Sequence, residues 1–160
     1  MRHIGVSNFL LGHIEHLVCA TGAYPAVNQV ELHPYFQQEH QRAYDDEHGI
    51  IAEAWCPLAR ANELVHDPTA SAIAEAHGVF VAEAILRWYV RRVCGVALPK
   101  SMNLERQRKN NALDFQLSED EMAQIAAFDN SEAAMTFEQG PYWHEEMWAG
   151  AYMIAYSNET

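Results

Sequence analysis

The chain has 160 residues, 49% hydrophobic and 20% charged, the composition of a globular domain with a core of its own rather than a disordered tail. Its formal net charge of −12, from 22 acidic and 10 basic residues, sets the chain as a whole against nucleic acid and anionic membranes as partners. No run approaches the roughly 20 apolar residues that span a bilayer, and no apolar signal segment follows Met1-Arg2-His3-Ile4-Gly5.

Cys19, Cys56 and Cys94 are odd in number and never form a C-x-x-C pair, which fits reduced thiols in a cytoplasmic protein better than a disulfide framework or a zinc knuckle. His13 and His16, three apart, and the His144-Glu145-Glu146 cluster lack further ligands at suitable spacing, so no metal centre is expected.

In chain order, Ile4-Gly5-Val6 reads as a short strand. Leu10, Ile14, Leu17 and Val18 then recur with helical spacing up to a stop at Gly22. Ala26 to Leu32 reads as a second strand, and the polar segment from Gln37 to His48 as an outer helix ending at Gly49. Ile50 to Trp55 is a third strand closed by Pro57. Asp67-Pro68 has the form of a helix N-cap with proline at the first helical position, ahead of a helix that ends at Gly78. From Ala82, the residues Ile85, Leu86, Tyr89, Val90 and Val93 predict an apolar face opposite Glu83, Arg87 and Arg91. Val96 to Leu98 is the last strand, and Ser118-Glu119-Asp120-Glu121 is a capping box ahead of a final helix. About four alternating strand–helix units predict an α/β fold with parallel strands and right-handed crossovers.

In such folds the ligand site lies at the carboxyl ends of the strands. The run Pro99-Lys100-Ser101, followed by Arg106 and Asn110, places an amine, a hydroxyl, a guanidinium and a helix N-terminus at one such end, a way to hold a phosphate. The plainer alternative is a solvated helix start with ordinary surface cations, and Lys100, Arg106, Arg108 and Lys109 are four of the ten basic residues. Ser7-Asn8 follows the first strand, Asn28-Gln29 lies in the second, and Trp55-Cys56 ends the third. Amides for a carboxamide, an indole for a ring and cations for a phosphate make a cradle for a nicotinamide dinucleotide. Each residue has an ordinary alternative: a helix cap for Asn8, a satisfied interior polar group for Gln29, core packing for Trp55. Neither G-x-G-x-x-G nor G-x-x-x-x-G-K-[ST] occurs, so a dinucleotide would not be held in the Rossmann or P-loop manner.

The runs Ile4-Gly5-Val6-Ser7-Asn8-Phe9, Val27-Asn28-Gln29-Val30-Glu31-Leu32-His33-Pro34-Tyr35, Trp55-Cys56-Pro57-Leu58 and Leu86-Arg87-Trp88 resemble the aldo-keto reductases. So do Pro99-Lys100-Ser101 with Glu105-Arg106 and Asn110, and the segment Asp114-Phe115-Gln116-Leu117-Ser118. Trp55 and Ala59 look most like the branch of the 2,5-diketo-gluconate reductases. The resemblance implies an eight-stranded (β/α) barrel, of which residues 1–130 are the C-terminal, NADP(H)-binding half. It implies that Ser7, Asn8 and Gln29 hold the nicotinamide carboxamide, that Trp55, with Cys56 and Leu58 beside it, stacks on the ring, that Lys100, Ser101 and Arg106 take the 2′-phosphate, and that Asn110 contacts adenine. Cys56 departs from the usual serine or glycine. Lys109 departs from a frequent acid and is expected to favour the phosphorylated cofactor further.

The family's Asp, Tyr, Lys and His tetrad comes from the first four strands, and this chain begins at what resembles the fifth. No residue is therefore assigned a catalytic role, Tyr35 and His33 included. A half-barrel opens two sheet edges and the barrel interior, which predicts either association with a second polypeptide or a second copy, or a poorly packed chain. Residues 131–160 form an aromatic-rich tail; Tyr142 and Trp143 are candidates to line a pocket for a small carbonyl substrate, with simple packing on the barrel as the alternative. Two functions follow: an NADP(H)-dependent carbonyl oxidoreductase whose other half lies outside this chain, or a non-catalytic nucleotide-binding or assembly module.

Overall fold

A computed structural model describes residues 3–59, 63–92 and 95–130. Strands β1 (Gly5–Ser7), β2 (Val27–Glu31), β3 (Ile51–Trp55) and β4 (Val96–Leu98) form one sheet in that spatial order, every neighbouring pair parallel. Helix α1 (Leu11–Thr21) connects β1 to β2, and α2 (Glu39–Glu47) connects β2 to β3. A 3-10 turn (Leu64–His66), α3 (Pro68–Ala76) and α4 (Val81–Arg92) lie between β3 and β4, and α5 (Leu104–Asn111) and α6 (Glu119–Ala126) follow.

The helix boundaries have local causes. Gly22 ends α1 in the left-handed conformation, φ 69°, with its N–H on the Val18 carbonyl. Asp67 accepts from the N–H groups of Thr69 and Ala70 at 2.8 and 3.0 Å, and Pro68, which has no N–H to leave unpaired, fills the first helical position. Ser118 and Glu121 complete the reciprocal box at α6. His13 also works as a cap: its Nδ1 accepts from the Leu10 N–H at 3.2 Å.

The register sorts side chains onto two faces, because in-register neighbours in a parallel sheet point the same way and successive residues point opposite ways. Val30 and Ala54 lie on the face covered by helices, in one core with Ile73, Ala84, Ile85, Trp88, Tyr89 and Ile125. The other face carries Ser7, Gln29, Glu53 and Trp55, and also Ile51, Val96 and Leu98, which remain 49%, 46% and 42% exposed. Apolar side chains this open on a sheet face are what a barrel wall looks like before its opposite wall is in place.

Two expectations about the elements change. In α4 the buried stripe is centred on Ala84, Ile85, Trp88 and Tyr89, while Val90 is 56% exposed and Glu83, expected on the polar side, is buried. The reason is local: Glu83 Oε2 accepts from the Phe80 N–H at 2.8 Å, so the carboxylate turns inward as a cap, and the large Trp88 ring takes the centre of the contact. Gln37 precedes α2 instead of opening it. Buried, it donates through Nε2 to the carbonyls of Pro34 and Ala126, both at 2.8 Å, and ties the loop after β2 to α6.

Candidate functional site

Both groups of expected site residues lie at the carboxyl ends of the strands. The first is a small polar network. The Ser7 hydroxyl donates to the Gln29 carbonyl at 3.0 Å, Asn8 Nδ2 to Ser7 Oγ at 3.3 Å, and Trp55 Nε1 to Asn8 Oδ1 at 2.8 Å. Gln29 Nε2 donates to Glu53 Oε2 at 2.7 Å. Ser7, Asn8, Gln29 and Trp55 thus come together from three strands, as the sequence predicted. Asn28 does not join them. Fully buried on the helix side, it holds the Phe9 backbone through both N–H and carbonyl and reaches Asp45 Oδ2, so it is a structural amide. Glu53 was missed, although period-two alternation places it on the Trp55 face.

The loop after β3 joins this network to the second group. Cys56 and Ala59 adopt left-handed φ values of 57° and 47°, which turn the chain sharply enough to send Leu58 into a neighbouring cleft. Cys56 itself is a half-buried free thiol.

That cleft, about 1170 Å³, is lined by Leu58, by Phe80 and Val81 at the start of α4, and by Lys100, Ser101, Arg106 and Asn110. The structure therefore gathers every residue expected at the phosphate and adenine end. One detail is corrected. The N–H groups of Glu105 and Arg106, expected to be open for a phosphate, are taken by Asn103 Oδ1 at 2.9 and 3.1 Å. These two N–H groups are therefore closed to an anion, which shifts its grip towards the side chains. Ser101 is placed by an exchange with Asn103, Oγ to carbonyl at 3.3 Å and N–H to Oγ at 3.2 Å, and by Gln107 Nε2 on its carbonyl at 2.7 Å. Lys100 and Arg106 enter no ion pair among the described residues. Helix α5 buries none of its eight residues, so core packing does not account for its composition.

Lys109 has partners of its own in the cleft. Its Nζ lies 3.4 Å from Glu105 Oε1 and 3.8 Å from the centroid of the Phe80 ring, so this cation is already partnered. Phe80 gave no sequence signal, since a single exposed aromatic has no periodicity to reveal it. Tyr35, with an acidic hydroxyl in principle, donates to Asp67 Oδ2 at 3.4 Å, and burial, with the Asp67 carboxylate second, pushes its pKa up. Tyr142 and Trp143 lie outside the described residues.

Fold and site together define a parallel α/β protein, four strands of a (β/α) barrel wall with a cleft lined by Lys100, Arg106 and Lys109 at their carboxyl ends. The chain belongs to the aldo/keto reductase family, whose model matches residues 1–130. It is 43% identical over 148 residues to 2,5-diketo-D-gluconic acid reductase B of Corynebacterium sp. (strain SHS752001), covering 92% of this chain and 52% of that protein. Among solved structures, an aldo/keto reductase from Brucella melitensis aligns with a TM-score of 0.74 at 40% identity, over 80% of this chain and 48% of that one. A Gox0644 variant in complex with NADPH aligns with a TM-score of 0.80 at 37% identity, over 84% and 49%. The chain spans about half the length of the curated relatives it matches.

Proposed function

We propose that this chain is the NADP(H)-holding half of a cytoplasmic aldo-keto reductase that converts a small carbonyl compound to its alcohol. The observation that carries the reading is the pair of cations that enter no ion pair among the described residues, Lys100 just after β4 and Arg106 on α5, a helix with no buried residue. They share the carboxyl end of the sheet with the Ser7–Asn8–Gln29–Trp55 network.

The residues fit the dinucleotide. Lys100, Arg106 and the Ser101 hydroxyl would hold a 2′-phosphate by charge-assisted hydrogen bonds. Asn110 lines the same cleft for the adenine. Gln29, Ser7 and Asn8 would take the carboxamide, and Trp55, its indole N–H tied to Asn8, would offer a ring face to the nicotinamide. NADPH, when bound, supplies the hydride; these side chains orient it and exclude water from one side of the ring.

No described residue is assigned the proton to the carbonyl oxygen. In this reading that acid comes with a complementary set of four parallel strands, from another polypeptide or a longer chain; a second copy of this chain could close the barrel but would not bring it. Such a set would pair with the β1 and β4 edges and cover Ile51, Val96 and Leu98. A second reading, a nucleotide-binding module without chemistry, is favoured by Tyr35, whose hydroxyl is committed to Asp67 and whose raised pKa suits it poorly to donate a proton.

NADPH titration followed by tryptophan fluorescence tests the cofactor reading. Saturable quenching is expected, weakened by about 2–4 kcal/mol in the Lys100→Met, Arg106→Ala double variant, the scale of lost charge-assisted contacts. A folded chain with no saturable quenching overturns it.

A further inference from the structure

The cleft holds a carboxylate beside two unpaired cations, and the three leave each other alone. Glu105 precedes Arg106 on α5, its side chain is 76% exposed, and it lines the same cleft as Lys100 and Arg106. An exposed carboxylate lining that cleft could turn towards Lys100, although Arg106, the next residue on the helix, faces elsewhere. It is instead drawn to Lys109, one helical turn on, where like-facing i, i+4 side chains meet. Lys109 is itself held from the other side by the face of Phe80, well within the range of a cation–π contact. Phe80 is fixed in turn, because the buried Glu83 carboxylate accepts its backbone N–H at 2.8 Å. The order of dependence runs from Glu83 to Phe80, from Phe80 to Lys109, and from Lys109 to Glu105.

We propose that Lys109, anchored on Phe80, captures the Glu105 carboxylate and so keeps Lys100 and Arg106 free for a phosphomonoester, making Lys109 and Phe80 specificity-determining residues of the cleft that act without touching the phosphate. This rests on the cofactor reading above. An exposed ion pair of this kind adds little to stability. Its effect is on the charge seen by an incoming anion. With Glu105 released, a full negative charge stands among the cations that a dianionic phosphate needs, and it competes for them at hydrogen-bond range. A ligand without the phosphate meets no such penalty.

The probes are 2′,5′-ADP, which carries the phosphomonoester, and 5′-AMP, which lacks it at the 2′ position, each titrated calorimetrically into the full chain. Lys109→Ala is expected to weaken 2′,5′-ADP about tenfold, the order of one uncompensated charge near a bound phosphate, and to leave 5′-AMP within about twofold. Glu105→Gln on the Lys109→Ala background is expected to restore most of the loss, because the competing charge is gone. Phe80→Leu is expected to lose several-fold in the same selective way, with circular dichroism confirming that each surface variant stays folded. Loss that Glu105→Gln does not restore would make Lys109 a direct phosphate contact and overturn the masking role. Equal weakening of both ligands would overturn the selectivity. A folded wild-type chain that binds neither probe would remove the cofactor reading, and this inference with it, whereas either failure above leaves the cofactor reading in place.

Discussion

Trp55 Nε1 donates a 2.8 Å hydrogen bond to Asn8 Oδ1, across from β3 to the turn after β1, while Asn8 itself sits at φ 57°. One residue therefore does two things: it accepts the left-handed conformation that asparagine tolerates better than most, and it fixes the plane of the indole. The two roles separate by substitution. Asn8→Gly keeps the turn and loses the acceptor, at about 1 kcal/mol; Asn8→Ala loses both, at about 2–3 kcal/mol. Urea denaturation measures the difference, and both variants are expected to blunt the NADPH-dependent quenching of Trp55. Equal stability for the two would remove the strain part of the argument.

The carboxylate of Asp67 caps α3 with two hydrogen bonds and also receives the Tyr35 hydroxyl. Asp67→Ala is expected to cost about 1–2 kcal/mol, the upper part of the range for a lost N-cap, read as a fall in the urea midpoint at unchanged slope. Asp67→Asn should recover most of it, because an amide oxygen still accepts from Thr69 and Ala70.

Two carboxylates act in opposite directions on acid stability. The Ser118 N–H, at 2.7 Å, is the main reason the Glu121 carboxyl lies below the ordinary range, with the Ser118 hydroxyl and His77 Nε2 at 2.9 Å adding to it. Its contribution is whole above the unfolded value of about 4.3 and is lost as pH falls through the lower folded value. Burial raises the Asp45 carboxyl despite hydrogen bonds from Gln41 and Asn28, so the folded state takes up that proton first. Its contribution to stability accordingly grows as pH falls from above the folded value towards about 3.9. In Glu121→Gln the urea midpoint should fall less steeply below about pH 4 than in the wild type. An unchanged acid limb would take Glu121 out of the account.

Ile51, Val96 and Leu98 share the open sheet face, and β4 has no partner beyond β3 among the described residues. Lysine on an edge strand is the usual device against unwanted pairing. The chain by itself is expected to sediment as a dimer or larger species at micromolar concentration, and the Val96→Lys, Leu98→Lys double variant as a monomer. A monomeric wild type would show that the open face does not drive association.

Much of the architecture was legible in the sequence because its signals are local. The Gly22 stop, the Asp67-Pro68 cap and the Ser118–Glu121 box each involve residues within one turn of each other, and each forms where the sequence places it. Short apolar runs, the third closed by Pro57, gave the four strands, and parallel order followed from the helices between them. The face of α4 was less legible, since Glu83 turns inward to cap Phe80 and Trp88 displaces Val90 from the core. A hydrophobic pattern records which residues are apolar and carries no record of a buried capping carboxylate.

The site divides along the same line. The sequence by itself determined the family and set Lys100, Ser101, Arg106, Gln29 and Trp55 at or near the carboxyl ends of strands, because residue type and spacing along the chain are enough for that. Only the tertiary structure decided which groups are free to act. It turned Asn28 away to the helix side, gave Gln29 the unforeseen partner Glu53, spent the Glu105 and Arg106 N–H groups on Asn103 and bound Lys109 to Glu105 and Phe80. A side chain's availability depends on what stands within about 4 Å of it, and residues far apart in sequence reach that distance only when the strands and helices pack.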